Sequence, residues 1–318
     1  MTTGEVGILK STLLPSFGLY SGLSVAAYVA AERTDRVEIK DWLWPSGQVL
    51  NAWWTAIGRP MYETGTSFND AWRGLTWTEK LLLGGVTVWG SRLFARIVSR
   101  SLARGRDDPR YDAQKNEKGF WKSAFFKVFL PEAGFLSIIS LPVTVPFSMG
   151  DTTLSLSTNT LNTIRALGVG LFSSGFALEV MADTQLELHR KERDDLCRHG
   201  VWSLVRHPNY LGDTLVHLSF LLLNFTYSFH PVVFLGPLAN YVFLRFVGGD
   251  MQTEASQEKR YQAENSPKYE QLQNWRGENN SFWPAWKDLT NPWAFAVAGC
   301  GFIGVVVEEV VRSNCTLR

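Results

Sequence analysis

The stretch HGVWSLVRHPNYLGD at residues 199–213 is followed at once by the apolar run TLVHLSFLLLNFTYSF at 214–229. Gly200 and Pro208 break helices, so the sequence predicts a loop over 199–210 that leads into a membrane helix. Polar and charged side chains therefore gather at the mouth of an apolar helix. A helix N-terminus with such side chains around it is suited to binding an anion or a nucleotide.

The same polar residues have a simpler explanation as a capping device. Asn209 or Asp213 would accept hydrogen bonds from the free N–H groups of the first helical turn, and Arg206 would reach lipid phosphates. This explanation accounts for one Asn and one Arg. It accounts poorly for five polar residues within eight positions, which favours a binding site.

The rest of the chain alternates apolar runs with very polar loops, although its mean hydropathy is only −0.06. A helix needs about 20 apolar residues to cross a bilayer. The runs predict an all-α, multi-pass transmembrane helical bundle of six to seven spans with a cytosol-facing cofactor pocket. The predicted spans are 8–31, 77–98, 121–149 (interrupted by proline), 160–183, 211–228, 231–249 and 291–311.

Lys and Arg are concentrated in the loops after the second and the fourth predicted spans. The positive-inside rule makes these loops cytosolic, together with the N-terminus and the polar segment 250–290. A net charge of +1 gives the chain no general affinity for polyanions, so nucleic acid is not an expected partner. The oligomeric state is not predicted by any feature of the sequence.

Two motif searches give negative predictions. The three cysteines, Cys197, Cys300 and Cys315, are scattered and form no C-x-x-C, and the five histidines form no H-E-x-x-H, so neither a disulfide framework nor a metal site is expected. The segment GCGFIG at 299–304 fits G-x-G-x-x-G but lies inside an apolar run with no preceding strand. It predicts close packing of helices through small residues.

The fourth predicted span ends with FALEVMADTQLELHRKERDD at 176–195. Glu179 and Asp183 are four residues apart and share one helix face. Acidic groups in a membrane helix usually face the bundle interior or a wet cavity, which predicts a polar wall with Arg190 and Arg193 at its rim. The alternative is that Asp183 and Gln185 only mark the membrane interface where the helix ends.

Four segments together resemble one enzyme family. GVWSLVRHPNYLGD at 200–213 resembles the pattern G-x-W-x-x-x-R-H-P-N-Y-x-G-[DE] of membrane reductases related to steroid 5-alpha-reductase and the sterol C14 and C7 reductases. EVMADTQLELHR at 179–190 resembles their preceding helix end. The segments 105–130 (GRDDPRYDAQKNEKGFWKSAFFKVFL) and 258–284 (from EKRYQAENSPKYEQLQNW to NNSFWP) resemble an uncharacterised branch of the group.

The resemblance covers about 85–286, which is the expected reductase-like membrane domain. Residues 1–84 form an unassigned N-terminal span and polar loop, and 287–318 form a C-terminal apolar segment. The resemblance implies a multi-pass enzyme of the endoplasmic reticulum membrane that binds NADPH near the cytosolic face. Its partners would be membrane lipids and a lipid-like substrate, such as a sterol, terpenoid or acyl chain, whose carbon–carbon double bond it reduces.

The family's functional residues carry over onto matching positions of this sequence. Tyr210 is the candidate proton donor and Asp213 the group that orients it, which makes these two the predicted catalytic residues. Leu186 stands where the family often has a basic residue, so this position does not imply a phosphate contact, and the choice between NADPH and NADH stays open. The residues expected to line the NADPH pocket are Asp183, Gln185, Arg190, Arg206, His207, Asn209, Tyr210, Glu254 and Tyr261.

Two other functions remain open at this point. Isoprenylcysteine and phospholipid methyltransferases, which bind S-adenosylmethionine, share an Arg-His-Pro-x-Tyr-x-Gly element in a similar helical frame. They favour a Glu-Glu pair soon after an Arg-Phe, whereas here Arg245-Phe246 is followed by VGGDMQTEA. The third possibility is a non-catalytic membrane scaffold that keeps the frame.

Overall fold

The computed structural model describes residues 7–149, 156–227 and 229–316, and every regular element within these ranges is helical. The α-helices are α1 (Leu14–Thr34), α2 (Leu43–Trp53), α3 (Arg59–Thr64), α4 (Phe68–Gly74), α5 (Trp77–Arg104), α6 (Asp112–Lys115), α7 (Phe120–Ala124), α8 (Leu130–Ile139), α9 (Val145–Met149), α10 (Thr158–Glu192), α11 (Pro208–Asn224), α12 (Leu235–Val242), α13 (Asp250–Ala263), α14 (Lys268–Glu278) and α15 (Pro292–Thr316).

Short 3₁₀- or π-helical turns extend or connect these helices. They are Leu9–Leu13, Val37–Trp42, Trp54–Gly58, Pro109–Tyr111, Phe125–Phe129, Leu141–Val143, Gly200–Ser203, Pro231–Phe234, Phe243–Val247 and Trp286–Thr290. Three of the predicted segments, 1–84, 211–228 and 287–318, include positions that lie outside the described residues. These positions are 1–6, 228 and 317–318.

Five helices are long and apolar enough to cross a membrane by length and composition: Leu9–Thr34, Trp77–Arg104, Thr158–Glu192, Pro231–Ala263 and Pro292–Cys315. Each coincides with a predicted span, so the prediction of an all-α, multi-pass membrane protein is confirmed. The predicted span 121–149 is divided among α7, α8 and α9, and α11 has only 17 residues. The total of six to seven spans therefore stays a prediction.

Contacts divide the chain into two compact units, one formed by Met1–Ser157 with Leu223–Ala239 and the other by Thr158–Leu222 with Asn240–Arg318. The division falls at other places than the boundaries expected from the resemblance, near 84 and 286. Packing groups residues by proximity, whereas a resemblance groups them by sequence pattern. The resemblance-based boundaries thus stay a prediction.

In the first unit, local chemistry fixes the ends of α5. Thr76 Oγ1 accepts a hydrogen bond from the Glu79 backbone N–H at 3.3 Å, and the Glu79 carboxylate accepts one from the Thr76 N–H at 2.8 Å. This reciprocal capping box begins the helix. Gly105, at φ 68°, ends it in the left-handed conformation that glycine adopts without strain.

The same unit contains a buried network of charges in which the loop after α5 holds the turn after α1. The Asp107 carboxylate accepts hydrogen bonds from the backbone N–H groups of Val37 (2.9 Å) and Glu38 (3.0 Å). Asp41 accepts from the Tyr111 hydroxyl at 2.7 Å and pairs with Arg110 at 3.1 Å. The segment GRDDPRYD, singled out by resemblance alone, thus has a structural role.

Asp108 also belongs to this loop and caps its short turn. Its carboxylate accepts a hydrogen bond from the Arg110 backbone N–H at 3.0 Å and pairs with Arg104 at 3.0 Å. Burial by itself would raise the pKa of Asp108, but the charges of Arg110 and Arg104 and the hydrogen bonds from Arg110 lower that pKa to about 2.

In the second unit, helices approach closely where glycines face each other. A Cβ atom added to Gly212 in α11 would lie 2.6 Å from the Gly175 carbonyl oxygen in α10. Gly301 and Gly304 of α15 sit in the same way against Gly170, Ser173 and Ser174 of α10, since Cβ atoms there would lie 2.8 Å or less from their nearest neighbours. The prediction that GCGFIG serves helix packing is confirmed.

Candidate functional site

All ten residues predicted to bind cofactor or catalyse lie in the second unit, on α10, the loop after it, α11 and α13. The loop enters α11 through a turn that Gln185 holds in place. The Gln185 Oε1 atom accepts a hydrogen bond from the Val201 N–H at 2.9 Å. Gly200 makes the turn at φ 66°, and a Cβ atom there would lie 2.2 Å from the same oxygen. The predicted cofactor ligand Gln185 therefore shapes the loop, and its oxygen is engaged there.

Glu254 of α13 is the centre of the site. Its carboxylate accepts hydrogen bonds from Arg206 Nε at 2.9 Å and Arg206 Nη2 at 3.1 Å, a forked pair, and lies 2.9 Å from His207 Nε2. The Glu254 residue is 8% exposed, so these charges are largely removed from water. A buried carboxylate is stable only with such partners, and Glu254 therefore fixes both side chains at the entrance to α11.

The segment after α14 completes this arrangement with its backbone. The Arg206 N–H donates to the Asn280 carbonyl and the His207 N–H to the Ser281 carbonyl, each at 3.0 Å. The Arg206 guanidinium also donates to the Asn279 carbonyl. The segment 279–281 thereby fixes the backbone and the side chain of the Arg-His pair.

Tyr210 lies in the first turn of α11 and is half-buried. Its ring stacks on His207 with 5.4 Å between centroids and 5° between planes, and its hydroxyl is 3.3 Å from Thr253 Oγ1. The stack orients the Tyr210 ring through a histidine that Glu254 already fixes. Arg206, His207, Tyr210 and Glu254 are thus brought together, as predicted.

Asp213 has partners other than the one predicted. Its Oδ1 atom accepts a hydrogen bond from Asn240 Nδ2 at 2.9 Å and lies 3.1 Å from His217 Nδ1. The sequence predicts that Asp213 orients the Tyr210 hydroxyl, and the described hydroxyl contact of Tyr210 is with Thr253. The pairing of Tyr210 with Asp213 stays a prediction.

Two polar atoms near the start of α11 are buried without a hydrogen-bond partner among the described residues. They are Asn209 Oδ1 and Thr214 Oγ1. An unpaired buried polar atom costs roughly 1–3 kcal/mol, so such atoms are usually paired with something in the working protein. Asn209 is one of the predicted cofactor residues, and its acceptor oxygen is the atom that a bound donor group would satisfy.

The remaining predicted residues occupy different environments. Asp183 is buried on α10, one turn after the buried Glu179. Tyr261 is buried near the end of α13, with the Arg260 guanidinium 5.1 Å from its ring centroid. Arg190 is exposed at the end of α10, as is Arg193 just beyond it. The two arginines are therefore accessible to an anion, as the predicted rim requires.

Several residues of the site were not predicted. Arg276 of α14 donates to Glu254 Oε2 at 3.0 Å, Ser281 lies 3.4 Å from Glu254 Oε1, and Asn240 binds Asp213. Arg276 and Glu254 are separated by 22 residues, and no spacing rule links them. The only sequence signal was the resemblance of 279–284 to a family tail, which marked this segment without giving its contacts.

A comparison with protein families finds that the model described as "Protein of unknown function (DUF1295)" matches residues 27–275. The matched range includes α10, the signature loop, α11, α13 and most of α14. Neither the curated proteins nor the solved structures include a match to this chain.

Proposed function

The chain belongs to this DUF1295 family, and from that premise we propose that it is an NADPH-dependent reductase embedded in the membrane. The bond reduced would be a carbon–carbon double bond in a lipid-like molecule of the sterol, terpenoid or acyl class. The family corresponds to the steroid 5-alpha-reductase-like group, in keeping with the resemblance of the signature at 200–213. The endoplasmic reticulum is the compartment that this resemblance implies.

The observation that carries the proposal is the buried, unpaired Asn209 Oδ1 beside the ordered Tyr210. These two residues end the Arg-His-Pro-Asn-Tyr signature and stand in the first turn of α11. An unpaired acceptor at this place fits a ligand that brings an N–H donor, such as the carboxamide of nicotinamide. A capping role alone would have paired that oxygen with the backbone of the helix.

The residues of the site fit NADPH in separate ways. Asn209 and Tyr210 would hold the nicotinamide end. The exposed Arg190 and Arg193 would hold phosphate groups through forked hydrogen bonds. The buried Asp183 and Tyr261 would line the wall between them. In this proposal Arg206, His207 and Glu254 act by fixing the entrance of α11, since they are bonded to one another.

When bound, NADPH supplies the hydride to one carbon of the double bond. The protein must supply a proton to the other carbon, and Tyr210 is the residue proposed to donate it. Stacking on His207 orients its ring, and Thr253 Oγ1 at 3.3 Å would hold the hydroxyl in position. Asp213, bonded to Asn240, would support the helix turn that carries Tyr210.

Ligand-induced stabilisation tests the cofactor. The full-length protein, purified in detergent, would be titrated with NADPH, NADH and S-adenosylmethionine while its thermal unfolding is followed. We expect NADPH to raise the unfolding temperature in a saturable way. A response to S-adenosylmethionine alone would replace the proposal with methyl transfer, and no response to any of the three would favour a scaffold.

Two substitutions test the assignment of Asn209. Asn209→Ala should weaken NADPH binding about tenfold or more, since a buried hydrogen bond to the ligand is lost. Asn274→Ala, on the exposed face of α14, is the matched control and should leave NADPH affinity unchanged. Equal affinities for the two variants would refute the role of Asn209.

A further inference from the structure

Three side chains with metal-binding atoms converge at the end of α10. His189 lies in its last turn, and Cys197 and His199 lie in the loop that leads to the signature. One ligand atom from each of these residues lies within 4.8 Å of the others. In a tetrahedral zinc site, ligand atoms at 2.0–2.3 Å from the metal are about 3.5 Å apart. Side-chain rotations that move the ligand atoms by roughly 1 Å would shorten their separations to those of a tetrahedral site.

The chemistry of these three ligands is selective. A thiolate with two imidazoles favours borderline and soft transition metals, and it disfavours Mg²⁺ and Ca²⁺, which prefer oxygen ligands. Three protein ligands also leave a fourth tetrahedral position for water. His199 is exposed, so this fourth position would face solvent.

The surroundings of His189 have the features of a metal ligand. Its Nδ1 atom is buried and has no hydrogen-bond partner among the described residues. Its Nε2 atom lies 2.8 Å from the Asp195 carboxylate and 3.1 Å from the Asp195 carbonyl oxygen. A metal-binding histidine usually donates its second ring N–H to a carboxylate or carbonyl, which fixes the ring and leaves the other nitrogen for the metal.

The thiol of Cys197 is prepared in a similar way. Cys197 is 4% exposed, and its sulfur lies within 4.8 Å of a ring nitrogen of each histidine. The His189 and His199 rings stand 5.1 Å apart between centroids at 48°, so they neither stack nor block each other.

We infer that His189, Cys197 and His199 bind one zinc-like transition metal ion, with Asp195 as the outer partner of His189. The site follows the spacing His-x7-Cys-x-His, which differs from the H-E-x-x-H and C-x-x-C spacings whose absence predicted no metal. The inference is therefore contrary to the prediction, made from the motif spacings alone, that the chain has no metal site.

The ion would have a positioning role. It would fasten the loop 193–199 to the end of α10, next to the turn that Gln185 holds through Val201. Of the two proposed phosphate contacts, Arg190 lies in the last turn of α10 and Arg193 is the first residue of this loop. The inference stands without the proposed reductase function, because the ligand atoms converge whatever the site next to them binds.

Cobalt substitution gives a direct test. The full-length protein, with Cys300 and Cys315 replaced by Ser, would be purified in detergent, stripped with a chelator and titrated with Co²⁺. We expect one ion per chain and a thiolate-to-cobalt charge-transfer band, which Zn²⁺ abolishes by displacement and Mg²⁺ does not. Retention of the band in this background would show that Cys197 is the sulfur ligand.

Single variants in this background separate binding from folding. Cys197→Ser should remove the charge-transfer band, His199→Ala should weaken Co²⁺ binding about 100-fold, and Asp195→Asn about tenfold. His199 is exposed, so its substitution should leave the unfolding temperature of the metal-free protein unchanged. The inference is overturned if the Cys300/Cys315 background binds no Co²⁺ with a thiolate band, or if His199→Ala binds Co²⁺ as tightly as that background.

Discussion

Replacing Glu254 by Gln should destabilise the second unit because it removes the charge at the centre of a buried ion-pair network. Glu254 accepts hydrogen bonds from Arg206 and Arg276 and pairs with His207, all at 2.9–3.1 Å. Gln keeps the shape and one acceptor oxygen but removes the negative charge. Arg206, whose side chain is 10% exposed, would then be a buried cation without a counter-charge.

The size of the effect follows from burial. Removing one partner of a buried ion pair costs roughly 3–5 kcal/mol, and the retained acceptor of Gln favours the lower end, about 3 kcal/mol. For a domain of this size, each kcal/mol lowers the unfolding temperature by roughly 2–4 °C, which gives about 6–12 °C in total.

A matched control lies one turn further along the same helix. Glu258 also pairs with Arg276, at 2.8 Å, but its side chain is 34% exposed. A pair screened by solvent contributes less than about 1 kcal/mol, so Glu258→Gln should shift the unfolding temperature by about 4 °C or less. The assay is thermal unfolding in detergent followed by tryptophan fluorescence, since Trp202 and Trp275 stand 6.4 Å apart in this unit.

Equal shifts in the two variants would contradict the reasoning. They would mean that water reaches the Glu254 carboxylate and that Arg206 does not depend on it. A large shift for Glu254→Gln with unchanged NADPH affinity would keep the structural role of Glu254 and remove its influence on the cofactor.

Further tests concern helix crossings and pH. Gly212→Ala should cost about 1–3 kcal/mol of unfolding free energy because its Cβ would meet the Gly175 carbonyl, whereas Gly277→Ala, with nothing within 4 Å, should be neutral or slightly stabilising. Folding lowers the pKa of Asp108 from near 4 to about 2. The ionised carboxylate therefore stabilises the fold at pH values above about 4, and this stabilisation is lost as the pH falls toward 2. As pH falls from about 4 to 2, the wild type should lose about 2 kcal/mol more than Asp108→Asn in acid-unfolding titrations.

The helices were predictable because their signal is local. An apolar run of about 20 residues is visible within one segment, so the five long helices appear where the sequence predicts them. Gly301 and Gly304 were also assigned correctly, since small residues in an apolar run have few other uses. The segment 121–149 was less predictable. Helical structure continues through Pro131 to Ile139, and the span is interrupted only after it, where Pro142 and Pro146 lie in two short helical pieces.

The contacts within the site were not predictable from spacing. Residues 279–281 bind Arg206 and His207 from more than 70 positions away, and that pairing depends on how α13 and α14 fold back. The orientation of Tyr210 by Asp213 stays a prediction. Asp213 accepts a hydrogen bond from Asn240 at 2.9 Å, a partner 27 positions away that no spacing rule indicates.

The pairing of Arg206 with Glu254 has a consequence for where phosphates can bind. A phosphate placed against Arg206 would also face the Glu254 carboxylate, and two like charges about 4 Å apart repel by roughly 4 kcal/mol near a protein surface. The Arg206 charge is thus balanced before any ligand arrives. Arg190 is exposed near the end of α10 and Arg193 is exposed just beyond it, and neither has a described ion pair with Glu254. Phosphate recognition should therefore depend on the loop 193–199, whose conformation the proposed metal ion would control, and Arg193→Ala should weaken NADPH binding more than NADH binding.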